Sequence, residues 1–185
     1  MAGSETHYVL PSPTFDDADA PHLLIVVSPY YKDIADNLVA GAKAAITAAG
    51  ATCDLIEVPG ALEIPTAIRL ASRSNDFDGF VALGCVIRGE TTHYETVCND
   101  SSHALSRLGI EGFCLGNGIL TVENRTQAEV RAASDGQNKG GGAAQAALHL
   151  IAISRRFMNT TKSIGFKPAS EHILMAGDIK DDKTA

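Results

Sequence analysis

Two nearly uninterrupted apolar runs, His22–Ser28 and Asp78–Ile87, constrain this chain more than any other feature. A strand with one wet face alternates apolar and polar residues. A continuous run marks a strand covered on both faces, as in a parallel sheet. Around these runs the periodicity changes. Ile34, Leu38, Ala42, Ala45, Ile46 and Ala49 recur at helical spacing within Asp33–Gly50, and Gly50 is placed to end that helix. Thr52–Val58 reads as a strand stopped by Pro59-Gly60, and Leu62–Arg73 as a helix that tolerates Pro65 in its first turn. Tyr94, Val97, Ser101, Leu105 and Leu108 share a helical face, Gly112–Asn117 reads as a fourth strand, and Thr126–Ala133 as a short helix. Asn138-Lys139 and three glycines then open a last helix expected over Ala143–Phe157. Strands alternating with helices imply right-handed βαβ units. The expected fold class is therefore α/β, a three-layer α/β/α sandwich around a central four-stranded parallel sheet.

Composition narrows the partners. In 185 residues, 15 basic and 22 acidic side chains give 15 − 22 = −7. A net anion of this size is not built to hold nucleic acid or an acidic membrane, although a local basic pocket can still bind a small phosphate. No run reaches the ~18 apolar residues of a membrane-spanning helix. Met1–Ala20 lacks the basic and apolar regions of a signal peptide. Cys53, Cys85, Cys98 and Cys114 form no CxxC pair and no zinc-spaced cluster. They read as reduced thiols of a cytoplasmic protein, with no metal site expected. The chain divides into an arm (1–20), one domain (21–157) and a tail (158–185) of unknown role. In the arm Tyr8-Val9-Leu10 could add a strand; in the tail Glu171–Met175 could form a short helix, although a patternless tail is preferred.

Ligands of parallel sheets bind beyond the carboxyl ends of the strands, so the residues there are the candidates. Gly89-Glu90-Thr91-Thr92-His93 ends one strand and opens a helix. The unpaired N–H groups and positive dipole of a helix start suit an anion. A histidine in the same turn can hand a proton to a departing phosphate. Read singly, Thr91 is an ordinary helix cap and His93 a solvated residue. Likewise, Tyr30 could present a flat face to a heterocycle or pack at a rim. Glu63 could accept hydroxyls or complement a helix dipole. Arg131 could hold an anion or be a surface arginine, and Lys139 beside its glycines could allow close backbone approach to a ligand. Neither a P-loop nor GxGxxG is present, and no nucleophile–base pattern supports covalent hydrolysis.

Four motifs in order change the weight of these residues. They are Val58-Pro59-Gly60-Ala61-Leu62-Glu63-Ile64-Pro65; Leu83–Tyr94 with Val97-Cys98-Asn99; Leu120–Asn124; and Asn138-Lys139-Gly140. Across roughly residues 22–157 the chain resembles the 6,7-dimethyl-8-ribityllumazine synthases of riboflavin biosynthesis. The resemblance implies a flavodoxin-like fold assembled into pentamers or larger shells, with sites between neighbouring subunits and riboflavin synthase as a candidate partner. It implies condensation of 5-amino-6-(D-ribitylamino)uracil with 3,4-dihydroxy-2-butanone 4-phosphate, releasing water and phosphate, with no cofactor. By position, Tyr30 resembles the aromatic that stacks on the uracil. Ala61, Leu62 and Glu63 match the ribityl-binding segment, and Cys85, Val86 and Ile87 the strand end that reads the pyrimidine edge through its backbone. Glu90 and Thr91 match the N–H pair that receives phosphate, Arg131 the phosphate-binding arginine, His93 the proton-transfer histidine, and Lys139 a lysine near the heterocycle. Asn117 stands where many members carry an aromatic, a departure that bears on the contact from a neighbouring subunit and on flavin-like ligands. The alternative from another class is a non-catalytic flavin- or lumazine-binding paralogue; intact Glu63, His93 and Arg131 favour the enzyme.

Overall fold

The computed structural model describes residues 10–159. Leu10 is exposed coil; the rest of the expected Tyr8–Leu10 strand and the expected Glu171–Met175 helix lie outside the described residues. Four strands and five α-helices alternate: β1 (His22–Val27), α1 (Lys32–Ala48), β2 (Thr52–Glu57), α2 (Glu63–Ala71), β3 (Gly79–Ile87), α3 (His93–Ile110), β4 (Leu115–Val122), α4 (Arg125–Ala132) and α5 (Lys139–Asn159). All pairings are parallel and the sheet order is β2-β1-β3-β4, which is the flavodoxin-like winding.

The continuous apolar runs are explained by helices on both faces. Leu23, Ile25 and Val27 of β1 join Val81 and Leu83 of β3 beneath α1, α4 and α5. Leu24, Val26, Phe80 and Ala82 face the opposite way, against α2 and α3. Leu23 through Val27 are each at most 2% exposed, and full burial of such side chains contributes roughly 1.5–3 kcal/mol apiece. By contrast β2 alternates between exposed and half-buried residues, as an edge strand does.

The fourth strand departs from expectation. It runs over Leu115–Val122 rather than Gly112–Asn117, and α5 starts at Lys139 rather than Ala143. Gly116-Asn117-Gly118 carries turn chemistry locally, yet all three residues pair with β3. The glycine at 116 serves the approach of α5, because a Cβ there would overlap the Ala143 carbonyl. The first glycine of α5 serves a similar packing. A Cβ on Gly140 would overlap the Leu38 carbonyl of α1, so that glycine admits a neighbouring helix, not a ligand.

Candidate active site

The order of strands reverses between β1 and β3, and chains diverging from their carboxyl ends leave a crevice there. Backbone hydrogen bonds close the frame around it. Ser28 N donates to Leu83 O at 3.0 Å, Val58 N to Val27 O at 2.9 Å, and Arg88 N to Val122 O at 2.9 Å. The crevice is a cleft of about 520 Å³. Tyr30 and Tyr31 line it from β1, Ala61, Leu62 and Glu63 from the start of α2, Cys85, Val86 and Ile87 from β3, and Thr91 and His93 from the start of α3. Ten of the expected site residues thus divide into nine that meet here and Glu90, which is exposed beside the cleft and does not line it.

Each lining group has a physical cause. Tyr30 is 75% exposed and meets Tyr31 edge-on at a centroid distance of 5.1 Å, so its ring face stays available to a planar ligand. Glu63 is the first residue of α2, and its carboxylate lies over Gly60, where a Cβ would come within 2.8 Å of Oε2. Burial pushes the Cys85 thiol up to about 11, so that it is neutral at ordinary pH; Arg125 opposes that shift and Asp33 adds to it. At α3 the cap position is Thr92, whose side chain makes no capping hydrogen bond, and Thr91 lies just outside the helix. The N–H groups of that turn therefore keep their affinity for an anion.

Asn117, Arg131 and Lys139 lie elsewhere. They line a second cleft of about 480 Å³ formed by β4, α4 and the start of α5. Arg131 Nη1 donates to the Gln127 carbonyl at 3.1 Å, and Asn117 Oδ1 accepts from Ile119 N at 3.0 Å. This cleft holds two cations and no acid; the first holds His93 and Glu63 but no lysine or arginine.

The profile of the family described as 6,7-dimethyl-8-ribityllumazine synthase matches residues 20–155. The chain belongs to this family. A lumazine synthase of Jannaschia sp. (strain CCS1) is 53% identical over 156 residues, 84% of this chain and 86% of that protein. The synthase of Bartonella tribocorum is 55% identical over 139 residues, covering 74% and 92% of the two chains. That of Novosphingobium aromaticivorans is 54% identical over 134 residues, covering 72% and 96%.

Some members of the first cleft had no signal in the sequence. Tyr94 and Val97 of the family motif belong to an apparent packing face of α3, yet both line the cleft. Ser28 is 3% exposed and its Oγ donates to the Pro59 carbonyl at 3.5 Å, tying the β1 and β2 ends together. Nothing in the residue types announces that tie; it depends on β1 and β2 being neighbours. Among the described residues there is no group of three or more His, Cys, Asp or Glu side chains able to hold a metal, and no helix long and apolar enough to cross a membrane.

Proposed function

We propose that the chain condenses 5-amino-6-(D-ribitylamino)uracil with 3,4-dihydroxy-2-butanone 4-phosphate to 6,7-dimethyl-8-ribityllumazine, with loss of water and inorganic phosphate. The observation that carries this reading is the convergence of Tyr30, Ala61–Glu63, Cys85–Ile87, Thr91 and His93 on one cleft at the strand ends of a lumazine synthase family member. No feature of the described site favours the non-catalytic alternative.

The chemistry asks little of a nucleophile, because the substrate amine is already one. The protein's work is to hold two reactants in register and to stabilise the departing phosphate. Tyr30 supplies a stacking face for the uracil, the exposed backbone edge at Cys85–Ile87 reads its polar rim, and Glu63 accepts ribityl hydroxyls. The uncapped start of α3, with Glu90 and Thr91, receives phosphate, and His93 moves protons between the condensing nitrogen, carbon and phosphate. Arg131 adds a bidentate cation for that phosphate. Lys139 lies near the heterocycle in the completed site.

Arg131, Lys139 and Asn117 line a different cleft from His93, so one chain holds two half-sites. We therefore take the working enzyme to be a homo-oligomer, a pentamer or larger, in which the second cleft of one subunit covers the first cleft of its neighbour. In this reading residues 21–157 form the catalytic domain between the arm (1–20) and the tail (158–185). The four free thiols fit a cytoplasmic setting, and riboflavin synthase is a candidate partner as the consumer of the product. Incubating the purified chain with both substrates should yield the green-fluorescent lumazine and free phosphate, and light scattering should report an assembly. A monodisperse monomer with full activity would exclude the shared site; binding without turnover would exclude the synthase.

A further inference from the structure

One side chain close to the first cleft does not line it, yet is fixed from three directions. Arg88 follows β3 directly. Its Nε donates to Glu123 Oε2 at 2.7 Å, just past β4. Its Nη1 donates to Glu95 Oε1 in the first turn of α3. Its guanidinium lies 4.1 Å from the centroid of the Tyr94 ring, and Tyr94 lines the cleft. Arg88 therefore joins the end of the sheet to the opening turn of the helix that carries His93.

The need for such a tie comes from the missing cap. A helix that binds an anion at its start cannot spend those N–H groups on a side chain, and Thr92 makes no capping bond here. An uncapped first turn frays. Anchoring it sideways, through Glu95 and Tyr94, holds the turn while leaving the N–H groups free. Stability alone does not account for the arrangement. The Arg88, Glu95 and Glu123 side chains are 39%, 48% and 58% exposed, and exposed ion pairs add little to folding.

We propose that Arg88 is a positioning residue for the condensation, acting through Glu95 and Tyr94 to hold the first turn of α3, and with it His93, in the reactive geometry. The two arms differ in kind: Glu95 and Tyr94 lie on the element to be positioned, whereas Glu123 lies on the sheet-side anchor. Beside the geometry, the Arg88 guanidinium holds the Glu95 carboxyl below the ordinary carboxylate range, as a persistent contact would. This inference rests on the synthase reading above, and its test separates the two.

The experiment compares wild type with Arg88→Ala, Arg88→Lys and Glu123→Gln in the full assembled chain. Arg88→Ala should lower kcat about tenfold or more, as expected when a reacting group shifts by an ångström. KM for the uracil substrate should move less than about twofold, because Tyr30, Glu63 and the β3 edge are untouched, and the thermal midpoint should barely move. Lysine should rescue in part, restoring charge without the fork. Glu123→Gln, which cuts the sheet-side anchor and leaves the Glu95 contact, should fall between. In a His93→Ala background the loss caused by Arg88→Ala should shrink to less than about twofold, because residues that act through one another are not additive. Amide exchange by mass spectrometry should show residues 91–97 exchanging faster in Arg88→Ala, with the strands unchanged. That readout needs no turnover, so a wild-type chain that makes no lumazine sinks the synthase reading while exchange still decides the clamp. Unchanged exchange in the first turn of α3, or a kcat loss that multiplies in full with His93→Ala, overturns the proposal.

Discussion

The two clefts of this chain, one at the strand ends and one along β4, are built on opposite principles. The first is walled by strand ends on three sides and lined by Tyr30, Tyr31, Val86, Ile87 and Val97, with Glu63 and His93 as its ionisable groups outside tyrosine and the neutral Cys85 thiol. The second is shorter in lining, has no aromatic ring and carries Arg131 and Lys139. A planar heterocycle finds a stacking face in the first, whereas a phosphate suits both the start of α3 in the first and the cations of the second. The difference teaches that the aromatic faces and the two cations are built into separate surfaces of the chain. Under the shared-site proposal above, that division of labour makes assembly a catalytic requirement.

The largest expected effect would break that comparison outright. His93→Ala, in the first cleft, should lower kcat by about 10²-fold, at the low end for a general acid–base, because orientation supplies much of the rate of this easy condensation. Arg131→Ala, in the second, should raise KM for the butanone phosphate about tenfold or more, from loss of a charge-assisted hydrogen bond. At limiting phosphate substrate His93→Ala then keeps about a hundredth of the wild-type rate and Arg131→Ala about a tenth or less. If the halves of one site come from two chains, unfolding and reassembling the two variants together should restore activity. Random head-to-tail association leaves about one site in four with both halves intact. Steady-state rates of the mixture against each variant alone decide the matter, and no recovery means that both clefts act within one chain.

A smaller effect sharpens the assignment of the first cleft. Tyr30→Ala should weaken binding of the uracil substrate by roughly 1–3 kcal/mol, the scale of base–aromatic stacking, whereas Tyr30→Phe should be nearly silent. Calorimetry with the uracil substrate measures both. Unchanged affinity in the alanine variant would reduce Tyr30 to a rim residue, and would leave the first cleft without its flat face.

The smallest effect lies in the lining of the first cleft, at Cys85. Burial raises its thiol from an ordinary value near 9 to about 11. A folded pKa above the unfolded one means that the unfolded chain sheds its proton first as pH rises. The contribution of the protonated thiol to stability is therefore full below about pH 9 and lost as pH climbs through about 11. Because the thiol lines an open cleft, solvent screening keeps the loss by linkage to about 1 kcal/mol or less. Denaturant midpoints across that range should fall more for wild type than for Cys85→Ala. Equal slopes in the two chains would show that the thiol already meets water through the cleft.

Much of this architecture was legible in the residues themselves. Leu23–Val27 must be covered on both faces because no residue in the run tolerates water, and that alone demands helices on either side of a parallel sheet. The start of α3 at His93 and the place of Glu63 in the opening turn of α2 also follow from local chemistry, since strand ends and helix starts carry their own signals. The fourth strand followed in existence but not in extent, since it was expected over Gly112–Asn117 and runs over Leu115–Val122. Gly116-Asn117-Gly118 has the local preferences of a turn, yet pairing with β3 holds it as a strand, and α5 packs so close that a side chain at Gly116 cannot fit. Two further decisions belong to tertiary structure for the same reason. Arg88 is one surface charge among many until the fold brings Glu95, Glu123 and Tyr94 around it, and the separation of Arg131 and Lys139 from His93 depends on where β4 and α5 lie. Burial and periodicity are properties of a segment and can be read along the chain, whereas which side chains face one another is a property of pairs distant in sequence, and the packed layers of the folded molecule decide it.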